Sequence, residues 1–165
     1  MTEQSKNNPN VKIGFRTAGR MLAIQGLYIL EVTGRKVMDV MDNLEMMVDD
    51  GFIEYVEKDH CDFAHTQEIL KGLTSYQAEI DSLIAKLLPP KWTFKRLDRV
   101  LCALLRAAVF EILYKKDIPS KIVINEYMNM ASAFGLQDSN KMVGGILNKI
   151  VHGDTMIGQS SVSDK

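Results

Sequence analysis

Apolar side chains recur along most of the chain at intervals of three and four residues, the spacing of helices with one buried face. The central stretch shows this most clearly, because Leu97, Leu101, Leu104, Ala108 and Ile112 form one long apolar stripe. No stretch alternates convincingly with period two, and no dipeptide signals a β-hairpin. The pattern therefore predicts an all-α fold.

About seven helices are predicted, with ends uncertain by about two to four residues. Their apolar stripes lie within residues 16–32, 37–48, 62–73, 80–87, 93–112, 119–134 and 139–150. Asp62, Thr93 and Ser139 are candidate N-caps, since their side-chain oxygens can accept from the free backbone N–H groups of a first turn. Arg106 and Glu111 interrupt the central stripe, and we expect them to form a buried or half-buried pair.

The helices are predicted to form one domain over residues 14–152, in two halves that join near residues 89–92. Pro89-Pro90 is the strongest helix breaker in the sequence and marks that joint. Residues 1–13 are polar and are predicted to be a flexible arm. Residues 153–165 are rich in Gly, Ser and Asp and are predicted to be a disordered tail.

Composition and charge change this picture little. Charged residues make up 25% of the chain and its formal net charge is -1, so any basic surface for a nucleic acid has to be local. Two cysteines cannot build a disulfide framework, and the polar N-terminus lacks the apolar stretch of a signal peptide. The most apolar segment, residues 100–114, is too short and too charged to span a bilayer. We expect a cytoplasmic protein with no membrane contact.

The sequence offers little catalytic or metal-binding chemistry. His60, Cys61 and His65 cluster, but a structural zinc site needs four ligands and no matching pair lies elsewhere. Neither GxxxxGK[ST] nor GxGxxG occurs, and Gly144-Gly145 lies within a helix, where close helix packing explains it. We therefore predict a protein that is not an enzyme and has no metal or cofactor.

The order of residues in four blocks resembles the NusB family. The first helix combines early arginines with Ala23, Gln25 and Leu27-Tyr28, and the central helix contains Leu105-Arg106-Ala107-Ala108 followed by Phe110-Glu111-Ile112. Two further blocks are Ile118-Pro119 with Val123-Ile124-Asn125-Glu126 and Phe134-Gly135, then Lys141-Met142-Val143-Gly144-Gly145-Ile146-Leu147. The blocks span about residues 14–152 in the family's order. The spacing from Trp92 to Arg96-Leu97-Asp98 is most similar to proteobacterial members.

The resemblance implies a fold of two roughly perpendicular helical bundles without catalysis. It also implies a role in transcription antitermination, in which the protein pairs with NusE, a small-subunit ribosomal protein, and binds the boxA element of ribosomal RNA transcripts. RNA polymerase and other Nus factors are indirect partners in that role. Some family members form homodimers, and the sequence leaves that state open.

The resemblance also implies an RNA-binding surface built from the N-terminal segment and the start of the last helix. The matching positions are Lys12, Arg16, Arg20, Gln25, Asp138, Ser139, Lys141 and Met142. Arg16 and Arg20 are expected to contact phosphates, with Lys141 in support. Ser139 is equally well explained as the N-cap of its helix. Tyr28 is a candidate contact to a protein partner, although an aromatic residue of this kind more often lies in the core or at its rim.

Three departures from the family pattern bear on RNA binding. The N-terminal segment has fewer arginines than is usual in the family, which reduces the number of phosphate contacts. Met142 stands where the family has phenylalanine, and Gly144 where it has asparagine. Together the departures suggest that boxA binding depends more on NusE than is usual in the family. The low number of arginines favours, as the alternative, a helical protein-interaction module with little RNA binding of its own. The RNA-binding part of a ribosomal RNA cytosine methyltransferase is also NusB-like, but we expect no such enzyme here, because a chain of 165 residues has no room for its catalytic domain.

Overall fold

The computed structural model describes residues 13–53 and 56–153, and all regular structure in these ranges is helical. Within them lie six α-helices: α1 (Phe15–Thr33), α2 (Val37–Asp49), α3 (Phe63–Leu87), α4 (Arg99–Tyr114), α5 (Ser120–Ala133) and α6 (Asn140–Val151). The predicted all-α fold is confirmed. Lys12 and nearly all of the predicted arm and tail lie outside the described residues.

α3 replaces two of the predicted helices, so the predicted count of about seven is corrected to six in the described part of the chain. The segment between the two predicted stripes, residues 74–79, is exposed but contains neither glycine nor proline. Leu73 and Ile80 are seven residues apart, which is close to two turns, and both are buried. The apolar stripe therefore continues through the polar segment without a break in the helix.

α4 is the central element of the core. Each of its residues from Leu101 to Ile112 is buried, and the helix contacts α1, α3, α5 and α6. Its N-cap is Asp98, which accepts from the backbone N–H groups of Val100 and Leu101 at 2.8 and 3.3 Å. Thr93 instead precedes a short 3-10 turn and makes no side-chain cap, so the prediction for Thr93 was wrong. Asp62 does cap α3, as predicted, by accepting from His65 N.

The two charged residues in the α4 stripe do not pair with each other, in contrast to the expectation. They lie five residues apart, which places them on different sides of the helix. The Arg106 guanidinium donates to both carboxylate oxygens of Asp81 at 2.8 and 3.0 Å and to Glu31 at 3.2 Å. Glu111 is bound by side chains from three other helices, as described below.

The remaining helices form two groups that share α4. α1 and α3 pack on each other and on α4, with α2 against α1 and α3. α5 and α6 also pack on each other and on α4. Gly144 lies at the α5–α6 contact, where an added Cβ would come within 2.7 Å of Met128 Sδ, so close helix packing does account for this glycine. No helix in the described ranges is long and apolar enough to cross a membrane.

Candidate nucleic-acid interface

The first turn of α1 presents Arg16 at the surface. No side chain caps this helix, and no acidic residue lies in its first turn. Arg16 Nε lies 3.5 Å from Asp62 Oδ2, and the Arg16 side chain is 47% exposed. A hydrogen bond to Glu68 raises the pKa of Lys115, and the charge of nearby Arg16 partly opposes that shift. A guanidinium held by one long ion pair remains available to a phosphate oxygen.

Arg20 lies inside the protein, although it is only one turn from Arg16. It is 2% exposed, and its Nε and Nη2 donate to the Glu111 carboxylate at distances between 2.9 and 3.1 Å. The pair is a buried, bidentate ion pair between α1 and α4. This placement corrects the expectation that Arg20 contacts phosphate, because the guanidinium is already paired and closed off from solvent.

Glu111 is the centre of a buried polar network that joins four helices. Besides Arg20 of α1, His65 Nε2 of α3 lies 2.9 Å from Glu111 Oε1, and the Tyr127 hydroxyl of α5 donates to Oε2. Burial alone would raise the pKa of Glu111, but the hydrogen bonds from His65 and Arg20 and the charge of Arg20 outweigh it and lower the pKa. Burial and the adjacent carboxylate raise the pKa of Tyr127. Within the described residues no buried side-chain nitrogen or oxygen lacks a hydrogen-bond partner, and a buried, charged network of this kind suits a structural role.

The His60, Cys61 and His65 cluster noted in the sequence does not assemble around a common point. His65 faces Glu111, His60 is exposed, and Cys61 is buried. Burial raises the pKa of Cys61 and of Cys102 to about 11, so both thiols are protonated near neutral pH. Across residues 13–53 and 56–153, no three His, Cys, Asp or Glu side chains could hold one metal ion.

The start of α6 supplies the other predicted RNA contacts. Asp138 and Lys141 are exposed there, on either side of the helix start. Ser139 is buried at the N-cap position, yet its side chain makes no capping hydrogen bond. Met142 is half-buried and packs against the core, so it offers little surface to a base. Of these four, the structure therefore leaves Asp138 and Lys141 the most accessible.

Gln25 lies on a different side of α1 from Arg16. Nine residues separate them, which is about 180° around the helix axis and roughly 13 Å along it. Gln25 instead shares a face with Met21, Tyr28 and Val32, of which Tyr28 is 40% and Val32 is 50% exposed. The structure therefore places Gln25 beside Tyr28, the candidate protein contact, and away from Arg16, the arginine expected to bind RNA.

α5 connects the start of α1 with the start of α6. On one side, Thr17 Oγ1 donates to Glu126 Oε2 at 2.8 Å. On the other, the Asn140 amide donates to the Met128 carbonyl and to Ser132 Oγ, each at 2.8 Å. Thr17 and Asn140 were not predicted from the sequence, because an isolated polar residue near a helix start does not reveal which distant helix it bonds. The two predicted RNA-binding segments thus flank one helix.

Comparisons with known proteins agree with this architecture. The model of the NusB family matches residues 17–152. Transcription antitermination protein NusB of Gluconobacter oxydans (strain 621H), a proteobacterium, is 37% identical over 158 residues, covering 91% of this chain and 93% of that protein.

Two solved structures share the fold. T. maritima NusB is 28% identical with a TM-score of 0.66, over 85% of this chain and 93% of that chain. A crystal structure of antitermination factors NusB and NusE in complex with dsRNA has a TM-score of 0.66 over 83% of this chain and 96% of that chain. The latter is 21% identical, and this likeness shows the fold alone.

Proposed function

The chain belongs to the NusB family, and from that premise we propose that it is a transcription antitermination factor that binds boxA RNA of ribosomal RNA transcripts together with NusE. In this role it supports ribosomal RNA transcription, acts in the cytoplasm, and reaches RNA polymerase and other Nus factors indirectly. It needs neither catalysis nor a cofactor. The match covers nearly the full length of a relative named as an antitermination protein, which favours this role over that of an RNA-binding domain in a methyltransferase.

The observation that carries the RNA part of the proposal is the half-exposed Arg16 at the uncapped start of α1. It is the one early arginine in the described chain with an accessible guanidinium, since Arg20 is buried. Lys141 and Asp138 are exposed at the start of α6, on the other side of α5. Arg16 and Lys141 thus provide positive charge at two helix starts on either side of α5. This arrangement suits a single RNA strand whose phosphates are contacted at intervals.

The protein part of the proposal rests on the α1 face formed by Met21, Gln25, Tyr28 and Val32. We assign this face to NusE, because it combines an exposed aromatic ring with apolar neighbours and contains no cation. The solved complex of a NusB with NusE and RNA supports a ternary assembly of this kind. A homodimer through the same face is the competing arrangement, and size measurement with and without NusE distinguishes the two.

The test is binding of labelled boxA RNA and of a scrambled RNA, each with and without NusE, at two salt concentrations. We expect selective binding of boxA that NusE strengthens. Arg16→Ala should weaken RNA binding. It should also make the slope of log affinity against log salt concentration shallower by about 0.7, the value for one phosphate contact on a single strand. Arg35→Ala, an exposed arginine beyond the other end of α1, is the matched control and should leave RNA affinity unchanged.

A second candidate function is a protein-interaction module with little RNA binding of its own. The observation in its favour is that burial of Arg20 leaves Arg16 as the accessible cation in the first two turns of α1. Tight NusE binding without any gain in selectivity for boxA would establish this alternative and reject the RNA role.

A further inference from the structure

Three polar side chains form a row along the outer face of α5. Lys121, Asn125 and Asn129 are spaced four residues apart, and all three are exposed. Positions four apart lie almost above one another on a helix, so the three side chains stand along one line. Within the described part of the chain none of them has a hydrogen-bond or ion-pair partner. We call these three residues the α5 row.

The α5 row lies between the two helix starts that the proposed RNA site requires. Glu126, which bonds Thr17 of α1, is about 100° around the α5 axis from Asn125. Met128 lies about 60° from Asn125 in the opposite direction and packs against Gly144 of α6. A strand that lies on the protein surface between the start of α1 and the start of α6 would therefore pass over the α5 row.

The chemistry of the α5 row suits an RNA strand. An asparagine amide carries both donors and acceptors and can pair with the edge of a base, whereas a lysine contributes a phosphate contact. Ile122 lies beside the row and is 50% exposed, which provides apolar surface for the face of a base. The neighbouring carboxylate of Glu126 is occupied by Thr17 and is only half-exposed.

We propose that the α5 row is the middle of the RNA site, where Lys121 contacts a phosphate and Asn125 and Asn129 read base edges. The strand then runs from Arg16 across α5 to Lys141. This proposal rests on the proposed RNA-binding function. RNA is favoured over a protein partner because the row combines amides with a cation and lies between the two helix starts that carry Arg16 and Lys141, whereas a protein interface centre is typically apolar.

The test measures affinity for boxA and for scrambled RNA, in the presence of NusE, in four variants. Asn125→Ala/Asn129→Ala should weaken boxA binding about tenfold or more with little change for scrambled RNA, so selectivity falls while the salt slope stays constant. Lys121→Ala should weaken both RNAs alike and reduce the slope by about 0.7. Asn43→Ala and Lys86→Ala, on α2 and α3, are the matched controls. Alanine has a higher helix propensity than asparagine, so these substitutions should not unfold α5 and weaken RNA binding for that reason.

The outcomes separate this proposal from the function on which it rests. If the wild type binds boxA selectively and all α5 variants keep its affinity, the assignment of the α5 row to RNA is wrong, and the proposed function stands. Absence of selective wild-type binding would overturn both. A fall in NusE affinity with unchanged RNA affinity would make the row a protein-docking face and also overturn the proposal.

Discussion

Arg16 and Arg20 lie one turn apart on α1, and their surroundings differ in ways that the sequence does not display. The Arg20 side chain lies between α1 and α4 and binds Glu111, whereas the half-exposed Arg16 side chain forms a longer ion pair with Asp62. Both positions fit an arginine-rich RNA-binding segment when the sequence is considered alone. The signal that separates them is Glu111, because a carboxylate within a buried stripe requires a buried cation or donor.

The buried pair leads to a prediction about stability. Arg20→Ala leaves the Glu111 carboxylate buried without its bidentate cationic partner, which should lower the free energy of unfolding by about 3–5 kcal/mol. Arg16→Ala removes a half-exposed, long ion pair and should change it by less than about 1 kcal/mol. Urea unfolding followed by circular dichroism measures both. Similar losses in the two variants would contradict a buried structural role for Arg20.

The same network also gives the direction of a pH effect. The pKa of Glu111 is lowered in the folded protein by hydrogen bonds from His65 and Arg20, despite the opposing effect of burial. Its ionisation therefore contributes stability that is present above the unfolded pKa and is lost as the pH falls through the folded value. Glu111→Gln cannot titrate, so its stability deficit relative to the wild type should narrow below about pH 4. A deficit that stays constant over the acid range would contradict this assignment.

At the scale of elements, glycine positions show how packing and intrinsic helix preference compete. An added Cβ at Gly19 would lie 2.5 Å from the carbonyl oxygen of Asp62, a backbone atom at the start of α3. Gly145 is exposed on α6, and no atom outside its own helix lies within 4 Å of an added Cβ. Packing against the start of α3 therefore leaves no room for a side chain at Gly19, whereas no neighbour in the described structure crowds a side chain at Gly145.

Alanine substitution at these two glycines should have opposite effects. Gly145→Ala should raise the free energy of unfolding by about 0.5–1 kcal/mol, because alanine loses less backbone entropy in a helix. Gly19→Ala gains the same helix propensity but forces α1 away from α3. Overpacking of this kind lowers the free energy of unfolding by about 1–3 kcal/mol. Denaturant midpoints of the two variants measure the difference. Destabilisation by Gly145→Ala would indicate a contact on the outer face of α6.

The helices themselves were largely predictable, because the apolar period is a local property of the sequence. Five predicted segments correspond to α1, α2, α4, α5 and α6. The predicted break at residues 74–79 was wrong, since a polar exposed segment can continue a helix. Pairings between distant helices were not predictable. Asn140 bonds to α5 and Thr17 to Glu126 through contacts that depend on the tertiary fold. For the whole molecule, the family resemblance predicted an RNA-binding surface at the starts of α1 and α6, and the structure shows that α5 lies between these two helix starts.

The arrangement of α1 allows RNA and protein contacts to be separated by mutation. Arg16 and the face containing Tyr28 lie on different sides of this helix, so one partner can occupy each. Tyr28→Ala should weaken NusE binding about fivefold to tenfold, because an exposed aromatic ring at an interface centre contributes strongly, and should leave the RNA affinity of the isolated protein unchanged. Calorimetry with NusE and an RNA-binding assay without it measure the two effects.

Tyr114 provides the matched control for that measurement. It is 38% exposed, close to the 40% of Tyr28, but it lies at the end of α4 and stacks on Tyr76 with ring centroids 4.2 Å apart. Tyr114→Ala removes a similar ring from a different surface, so NusE affinity should not change. Equal losses of NusE affinity in both variants would mean that the loss does not depend on the α1 face and follows from removing any exposed aromatic ring or from reduced stability. Loss in Tyr28→Ala alone, with RNA affinity intact, would place NusE on the α1 face and leave the opposite side of the helix to RNA.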